Sequence, residues 1–214
     1  MKKNCNSFFL SLKNYAGWER HSFHTPGHKA GQAFEKNFRK ILQEKIFEFD
    51  ITVTPFVDSI HEPKSVIKNL QEGICALYGV NKSFILVNGS TQGNLAAFLS
   101  LFKDGDTVLI SRNIHMSVIS ACVISGIYPS WMNPPILKNG VIGEVSAKDV
   151  QNYINYYPEA KGVFITSPTY NGIITELEKI AEICHKEKKL LIVDEAWGPH
   201  LQFWKKEYSA VNFA

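Results

Sequence analysis

The sequence contains little cysteine, and none of it stands at the spacing of a metal site or a redox pair. Cys5, Cys75, Cys122 and Cys184 lie far apart in 214 residues, and no Cys-x-x-Cys motif occurs. Four scattered cysteines in a chain of this length do not form the disulfide framework of a small secreted protein. The cysteine content therefore indicates a reducing compartment, and we expect a cytoplasmic protein.

Long hydrophobic runs and a strong charge bias are also missing. The apolar run at residues 8–10 is broken by Ser11 and Lys13 and is too short for the core of a signal peptide. No stretch approaches the roughly 18 apolar residues of a membrane span. Lys plus Arg number 23 and Asp plus Glu number 20, a net charge of +3 that is too small to indicate nucleic acid. We expect neither a membrane nor a nucleic acid as partner.

A histidine pair near the N-terminus does not form a metal site by its spacing. His24 and His28 are four residues apart, but Pro26 and Gly27 lie between them. Helical ligation by residues i and i+4 is therefore disfavoured. We expect no bound metal.

The first 63 residues are predicted to form a helical segment followed by a turn-rich arm. A helical apolar face is indicated by Phe34, Phe38, Ile41, Leu42 and Ile46, and we expect it to be buried. Residues 50–63 are rich in turn-forming residues. A second domain over residues 64–214 then opens with a helix at Pro63. Its apolar positions are Ile67, Leu70, Ile74 and Leu77, and its stop is Gly79.

From residue 83 onward the pattern predicts an α/β fold with a mostly parallel sheet flanked by helices. Unbroken apolar runs of this kind are typical of strands that are buried on both faces. The runs occupy residues 84–87, 108–110, 163–165 and 190–193. Helices are predicted between them, two with capping boxes: Ser146 with Asp149, and Thr175 with Glu178. Ligands of such sheets bind beyond the carboxyl ends of the strands, so the turns there are the candidate site.

The turn Asn88-Gly89-Ser90-Thr91-Gln92-Gly93-Asn94 is a candidate phosphate cup, followed by a helix starting near Leu95. Glycine allows a tight turn, and the free N–H groups of a helix N-terminus attract an anion. Ser90 and Thr91 would add hydroxyl donors. The same residues are equally compatible with a plain capped strand-to-helix turn.

Two further turns supply a flat ring and a carboxylate. His115 follows the second strand and could stack on an aromatic ligand, or be an ordinary surface histidine. Asp194 ends the last strand, where an unpaired carboxylate is costly to bury, so we expect a cation or several donors beside it. A helix N-cap is the alternative, and Glu195 would be the solvated neighbour. A phosphate cup, a stacking ring and a carboxylate for a ring nitrogen are the parts that hold pyridoxal 5′-phosphate.

Five segments together resemble the Orn/Lys/Arg decarboxylase family, the bacterial fold-type I enzymes that depend on pyridoxal phosphate. They are His24-Thr25-Pro26-Gly27-His28-Lys29, the turn at residues 88–94, Arg112-Asn113-Ile114-His115, Thr166-Ser167-Pro168-Thr169-Tyr170 and Asp194-Glu195-Ala196-Trp197. The resemblance implies a partial, truncated large domain of that fold. It also implies decarboxylation of arginine, lysine or ornithine to a polyamine or its precursor, and a homo-oligomeric complete enzyme.

The resemblance implies a role for each matching residue. Gly89, Ser90 and Thr91 would hold the cofactor phosphate. His115 would stack on the pyridine ring, and Asp194 would pair with the ring nitrogen and keep it protonated. Trp197 would lie at the cofactor pocket, while the family's second histidine, matched by His200, has no assigned role.

The chain departs from the family pattern at several positions. Met116 stands where a lysine is expected, and Val53 and Phe56 replace an acidic residue and a glycine. The Ser-Thr-His-Lys motif, whose lysine carries the cofactor, is expected after the next strand and is not among the 214 residues. Lys205 and Lys206 lie too early to replace it. We therefore expect little or no turnover by these residues alone.

Three other functions remain open from the sequence. The chain could be a non-catalytic remnant that binds or regulates an intact relative. It could belong to another fold-type I enzyme such as an aminotransferase, although the His-Thr-Pro-Gly-His segment argues against this. A general nucleotide-binding module is the third.

Overall fold

The chain forms two compact units, Met1–Ile85 and Leu86–Ala214. The structure, a computed structural model, describes residues 5–18, 29–41 and 46–213. The predicted boundary at residues 63/64 lies inside the first unit, because the helix that follows residue 63 packs within that unit. Which enzyme domain each part represents stays a prediction.

The first unit contains three α-helices: α1 (Cys5–Ala16), α2 (Lys36–Ile41) and α3 (Val66–Tyr78). A 3-10 turn, Ile46–Glu48, lies between α2 and α3. The expectation of a buried face around α2 is wrong for Phe34, Phe38 and Ile46, which are all exposed. Phe34 packs against Phe38 and Phe47 at ring-centroid distances of 5.3 and 4.7 Å, so these rings shield one another at the surface. Leu42 lies outside the described residues.

Helix α3 begins three residues after Pro63, with Ser65 as its N-cap, and ends as predicted at Gly79. Gly79 has φ 73°, the left-handed conformation that glycine adopts without a steric penalty. The side chain of Ser65 makes no capping hydrogen bond. The Asp58 carboxylate accepts hydrogen bonds from the N–H groups of Lys64, Ser65 and Ile67 instead. On the predicted apolar face, Ile67 is buried while Leu77 is exposed.

The second unit is a four-stranded parallel sheet with helices, which confirms the predicted fold class. Its elements are α4 (Gly89–Leu101), β1 (Thr107–Ser111), α5 (Met116–Ser125), β2 (Tyr128–Met132), α6 (Ala147–Tyr156), β3 (Gly162–Thr166), α7 (Leu177–Lys186), β4 (Leu190–Asp194) and α8 (Leu201–Trp204). Two 3-10 turns follow, Lys206–Tyr208 and Ala210–Asn212. The strand order is β2-β1-β3-β4, and every pairing is parallel.

The predicted strand at residues 84–87 is wrong, and β2 is a strand that the sequence analysis missed. Residues 84–87 pair with no strand in the described part of the chain, and Phe84 and Val87 are each 76% exposed. Strand β2 is an edge strand that contains Pro129 and has an exposed Tyr128. The Tyr128 N–H donates to the carbonyl of Asp106, the residue before β1. Because successive residues of a strand alternate, the nitrogen of Pro129 then lies at the open edge of the sheet, where the strand needs no N–H donor.

Two apolar layers cover the two faces of the sheet. Phe164 of β3 packs with Phe98 of α4 and Val118 of α5 on one face. Val163 and Ile165 pack with Val150 of α6 and Ile180 of α7 on the other. Alternation along β3 therefore assigns even-numbered residues to the α4–α5 face.

One of the two predicted capping boxes is present. Ser146 and Asp149 form it at the start of α6, with the Ser146 Oγ accepting the Asp149 N–H at 3.1 Å. The Thr175–Glu178 box is wrong. The Thr175 N–H donates to the Ser167 Oγ, and α7 starts only at Leu177 without a side-chain cap.

None of the helices in the described residues is both long and apolar enough to cross a membrane.

Candidate functional site

The candidate site lies at the carboxyl edge of the sheet in the second unit, where β1 leads into α5 and β4 ends. His115 is the N-cap of α5, and Asp194 is the last residue of β4. Helix α4 contributes the buried Asn94 to the same place. The structure therefore brings together residues that are up to 100 positions apart.

Asp194 is a buried carboxylate whose two oxygens both accept hydrogen bonds. Its exposed fraction is 9%. The Asn94 Nδ2 donates to Oδ2 at 3.0 Å, and the Ala196 N–H donates to Oδ1 at 3.1 Å. Both side-chain oxygens of Asp194 therefore act as hydrogen-bond acceptors. The predicted set of several donors beside Asp194 is thus confirmed. The alternative of a helix N-cap is wrong, because α8 has His200 at that position.

His115 is held by the first turn of α5 while its side chain stays exposed. The imidazole Nδ1 accepts the Ser117 N–H at 3.2 Å and lies 2.9 Å from the Ser117 Oγ. This contact fixes the ring at the N-terminus of α5. An exposed flat ring on a fixed backbone is suited to stacking on a planar ligand.

Asn94 and Ser117 are the site residues that the sequence analysis missed as functional. Asn94 was considered there only as the last residue of a turn, and Ser117 was not considered. The Asn94 Nδ2 donates to the Ser117 Oγ at 2.9 Å as well as to Asp194. Asn94 directly precedes the apolar run at residues 95–99, and its burial requires a hydrogen-bond partner, but that burial is visible only in the structure.

The candidate phosphate cup is the first turn of α4, because this helix begins at Gly89 rather than near Leu95. Gly89 has φ 66°, which explains the glycine at this position. Ser90 and Thr91 are exposed, and their hydroxyls make no hydrogen bond within the described part of the chain. The first turn of this 13-residue helix carries no acidic residue, so no carboxylate there would compete with an anion for its N–H groups.

Aromatic and acidic side chains follow β3 and β4 at the same edge. Tyr170 and Trp197, both exposed, pack edge to face with ring centroids 5.7 Å apart. Glu195 is half-buried, so the expected solvated carboxylate is wrong. Its oxygens accept the Ser209 hydroxyl and the Ala210 N–H, each at 3.2 Å. Burial raises the pKa of Glu195, while those two donors and the nearby His200 partly lower it.

A buried hydroxyl without a partner completes the site. The Oγ1 atom of Thr166 is buried and makes no hydrogen bond to any residue that the structure describes. Thr166 ends β3 directly beside Asp194 in the parallel register, on the same face as Phe164. A hydroxyl group that can both donate and accept a hydrogen bond, that of Thr166, therefore lies in the residue paired with Asp194.

The described residues contain no cluster suited to metal binding, and their two buried cysteines are poorly suited to thiol chemistry. No three His, Cys, Asp or Glu side chains there group closely enough to hold a metal ion. Cys122 and Cys184 are buried, and burial raises the pKa of both thiols, that of Cys184 to about 11. A raised pKa leaves little thiolate, so these two cysteines pack rather than react.

Comparisons with known proteins agree with this architecture. The model of the major domain of Orn/Lys/Arg decarboxylases matches residues 6–213. The chain is 38% identical over 193 residues to the uncharacterized protein YaaO of Bacillus subtilis, covering 90% of this chain and 40% of that protein. It is 32% identical over 196 residues to an arginine decarboxylase of Bacillus cereus, covering 91% and 43% respectively.

Solved structures show the same fold. Lysine decarboxylase A from Pseudomonas aeruginosa superimposes with a TM-score of 0.87 at 23% identity, covering 97% of this chain and 30% of that chain. The lysine decarboxylase of Francisella novicida gives 0.83 at 25% identity, covering 96% and 31%. The chain thus spans about two-fifths of the first curated relatives and about a third of these solved chains.

Proposed function

The chain belongs to the Orn/Lys/Arg decarboxylase family, and on that premise we propose that it forms the pyridoxal 5′-phosphate-binding part of a basic amino acid decarboxylase. The substrate would be arginine, lysine or ornithine, and the product a polyamine or its precursor. We expect a cytoplasmic enzyme that is a homo-oligomer when complete.

The observation that carries the proposal is the buried side chain of Asp194, both oxygens of which accept hydrogen bonds. It accepts two neutral donors, and within the described residues no Lys, Arg or His nitrogen lies within 4.0 Å of it. A buried carboxylate is stabilised far better by a charged N–H than by neutral donors alone. A protonated pyridine nitrogen supplies such a group. The unpartnered Thr166 hydroxyl beside it adds a donor and acceptor for a polar substituent of a ring.

The other side chains fit the remaining parts of the cofactor. Gly89, Ser90 and Thr91 would bind the phosphate with backbone N–H groups and free hydroxyls. His115 would stack on the ring, and Trp197 would line one side of the pocket. When bound, pyridoxal phosphate supplies a ring that takes up the negative charge left on the α-carbon by loss of carbon dioxide. Asp194 would hold the proton on the ring nitrogen, which favours that uptake.

Titration of the purified chain with pyridoxal phosphate, followed by absorbance and tryptophan fluorescence, tests the cofactor site. We expect Asp194→Asn to weaken binding by about 10- to 100-fold, the loss of one charged hydrogen bond of about 1.5–3 kcal/mol. Glu178→Gln removes an exposed carboxylate of α7 and is the control, with unchanged affinity. Equal affinities of wild type and Asp194→Asn, or no binding by the wild type, would contradict the proposed site.

A second measurement concerns turnover. We expect these 214 residues alone to release little or no labelled carbon dioxide from carboxyl-labelled arginine, lysine or ornithine, because the Ser-Thr-His-Lys motif is not among them. A measurable rate in a preparation free of host decarboxylase would overturn this expectation. Reading the gene beyond codon 214 shows whether that motif is encoded next.

A further inference from the structure

Asn94 uses both hydrogens of its side-chain amide in one buried network. Its exposed fraction is 7%, and Nδ2 lies 3.0 Å from the Asp194 Oδ2 and 2.9 Å from the Ser117 Oγ. The orientation of the amide follows from its partner. The Asp194 Oδ2 accepts the hydrogen bond, so the group of Asn94 that faces it is the NH₂ donor and not the carbonyl oxygen.

The Asn94 amide also determines the direction of the next hydrogen bond. Since the Ser117 Oγ accepts a hydrogen from Asn94, its own hydroxyl proton is free to point at the His115 Nδ1, 2.9 Å away. The same Nδ1 accepts the Ser117 backbone N–H at 3.2 Å. Two donors therefore converge on Nδ1, and a proton there would face both of them. In the neutral imidazole the proton is left on Nε2.

We infer that Asn94 is a positioning residue that couples Asp194 to His115 by holding the carboxylate with one N–H and, through Ser117, setting the His115 tautomer with the other. The inference deepens the proposed function and rests on it for the identity of the ligand. One side chain, that of Asn94, would then orient both Asp194, the partner of the ring nitrogen, and His115, the stacking ring. His115 then offers Nε2–H as a donor, and Asp194 remains an acceptor.

The tautomer of His115 in the chain without ligand is the direct test. Two-dimensional ¹⁵N–¹H spectra of the histidine rings distinguish a protonated from a bare ring nitrogen, and His115→Asn identifies the His115 signals among the seven histidines. In the wild type we expect a bare Nδ1 and a protonated Nε2. A wild-type spectrum with the proton on Nδ1 would overturn the inference before any variant is made.

Asn94→Leu keeps the approximate size of the side chain and removes both donors. We expect it to raise the Nδ1-protonated fraction of His115 by about five-fold, the worth of one net hydrogen bond. Ser117→Ala should produce a similar change and decides the question if Asn94→Leu does not fold. Asn152→Leu makes the same change at an exposed site on α6 and should leave the His115 spectrum as it is in the wild type. Tautomer ratios in Asn94→Leu and Ser117→Ala equal to that of the control would refute the coupling.

Affinity for pyridoxal phosphate separates this inference from the proposed function. If the wild type binds the cofactor and Asn94→Leu weakens binding by about five- to ten-fold, less than Asp194→Asn does, both stand. If the cofactor binds equally well to the wild type and Asn94→Leu, the positioning role fails while the cofactor site stands. If the wild type binds no cofactor, the proposed function fails, and the tautomer spectra alone decide whether Asn94 sets the His115 ring.

Discussion

Asp58 caps the N-terminus of α3 although it lies eight residues before the helix begins at residue 66. Its carboxylate collects the N–H groups of Lys64, Ser65 and Ile67, the last at 2.9 Å. Burial raises the pKa of Asp58, but the hydrogen bonds from Ile67, Ser65 and Lys64 together outweigh it and hold the pKa well below its usual range. A carboxylate at a helix N-terminus is also favoured by the helix dipole.

We predict that Asp58 makes the stability of the first unit fall in acid. A carboxyl whose folded pKa lies below its unfolded value, about 3.9, stabilises the fold above that value and loses the effect as the pH falls below it. Asp58→Asn should cost about 1–2 kcal/mol of unfolding free energy at pH 7, because a neutral amide replaces a charged acceptor of three N–H groups. Its stability should change less than that of the wild type between pH 5 and pH 3. Urea unfolding at several pH values measures both effects.

The control for Asp58 is Glu72→Gln, which removes an exposed carboxylate 3.9 Å from Lys68 on the same helix. Because such surface pairs contribute little, we expect its acid response to follow the wild type. An Asp58→Asn profile parallel to that of Glu72→Gln would show that Asp58 does not carry the acid sensitivity.

At the scale of elements, the α6 capping box predicts that substitutions at Ser146 and Asp149 have non-additive effects on stability. Each of Ser146 and Asp149 satisfies a backbone N–H of the other, and their side chains are also hydrogen-bonded. Ser146→Ala should cost about 1 kcal/mol of stability. The double variant with Asp149→Ala should cost less than the sum of the single variants, because each substitution removes the same contact. Denaturant unfolding of the three variants measures this.

Glu178→Ala on α7 is the matched comparison for the box. The sequence places Glu178 in the same relation to Thr175, but α7 has no side-chain cap. We expect this variant to stay within about 0.5 kcal/mol of the wild type, as surface substitutions do. A loss as large as that of Asp149→Ala would contradict the helix start at Leu177.

The elements also show why some local patterns predict structure better than others. The box of Ser146 and the stop at Gly79 depend on atoms within four residues, so sequence alone identifies them. The apolar run at 84–87 looks like the run at 163–165, but only the latter has neighbouring strands in the described chain. A strand requires hydrogen bonds from a neighbour, and that neighbour is a matter of tertiary structure.

At the scale of the whole molecule, the position of a strand in the sheet should decide how its amides exchange. Strand β3 pairs with β1 on one side and β4 on the other, while β4 pairs only with β3 in the described residues. The Leu190 N–H donates to the Lys161 carbonyl, so by alternation the Leu191 and Val193 N–H groups face away from β3. N–H groups that face away from the neighbouring strand exchange with solvent more readily than the N–H groups of a central strand.

We predict at least about ten-fold slower hydrogen exchange at Phe164 and Ile165 than at Leu191 and Val193. Native-state exchange followed by NMR measures the four amides in one sample, with exposed loop amides such as that of Asn139 as the fast reference. Comparable protection of Val193 and Ile165 would mean that the outer side of β4 is covered in solution.

The sequence by itself determined the parallel α/β class, the turns that form the candidate site and the choice of His115, Asp194, Gly89, Ser90 and Thr91 as candidate residues. These follow from apolar runs, caps and motif residues, which are local properties of the chain. Only the tertiary structure decided that Asn94 contacts both Asp194 and Ser117, and that the Thr166 hydroxyl has no hydrogen-bond partner in the described part of the chain. The physical reason is that hydrogen bonds across 23 and 100 residues depend on which helices and strands pack together, and no local pattern encodes that.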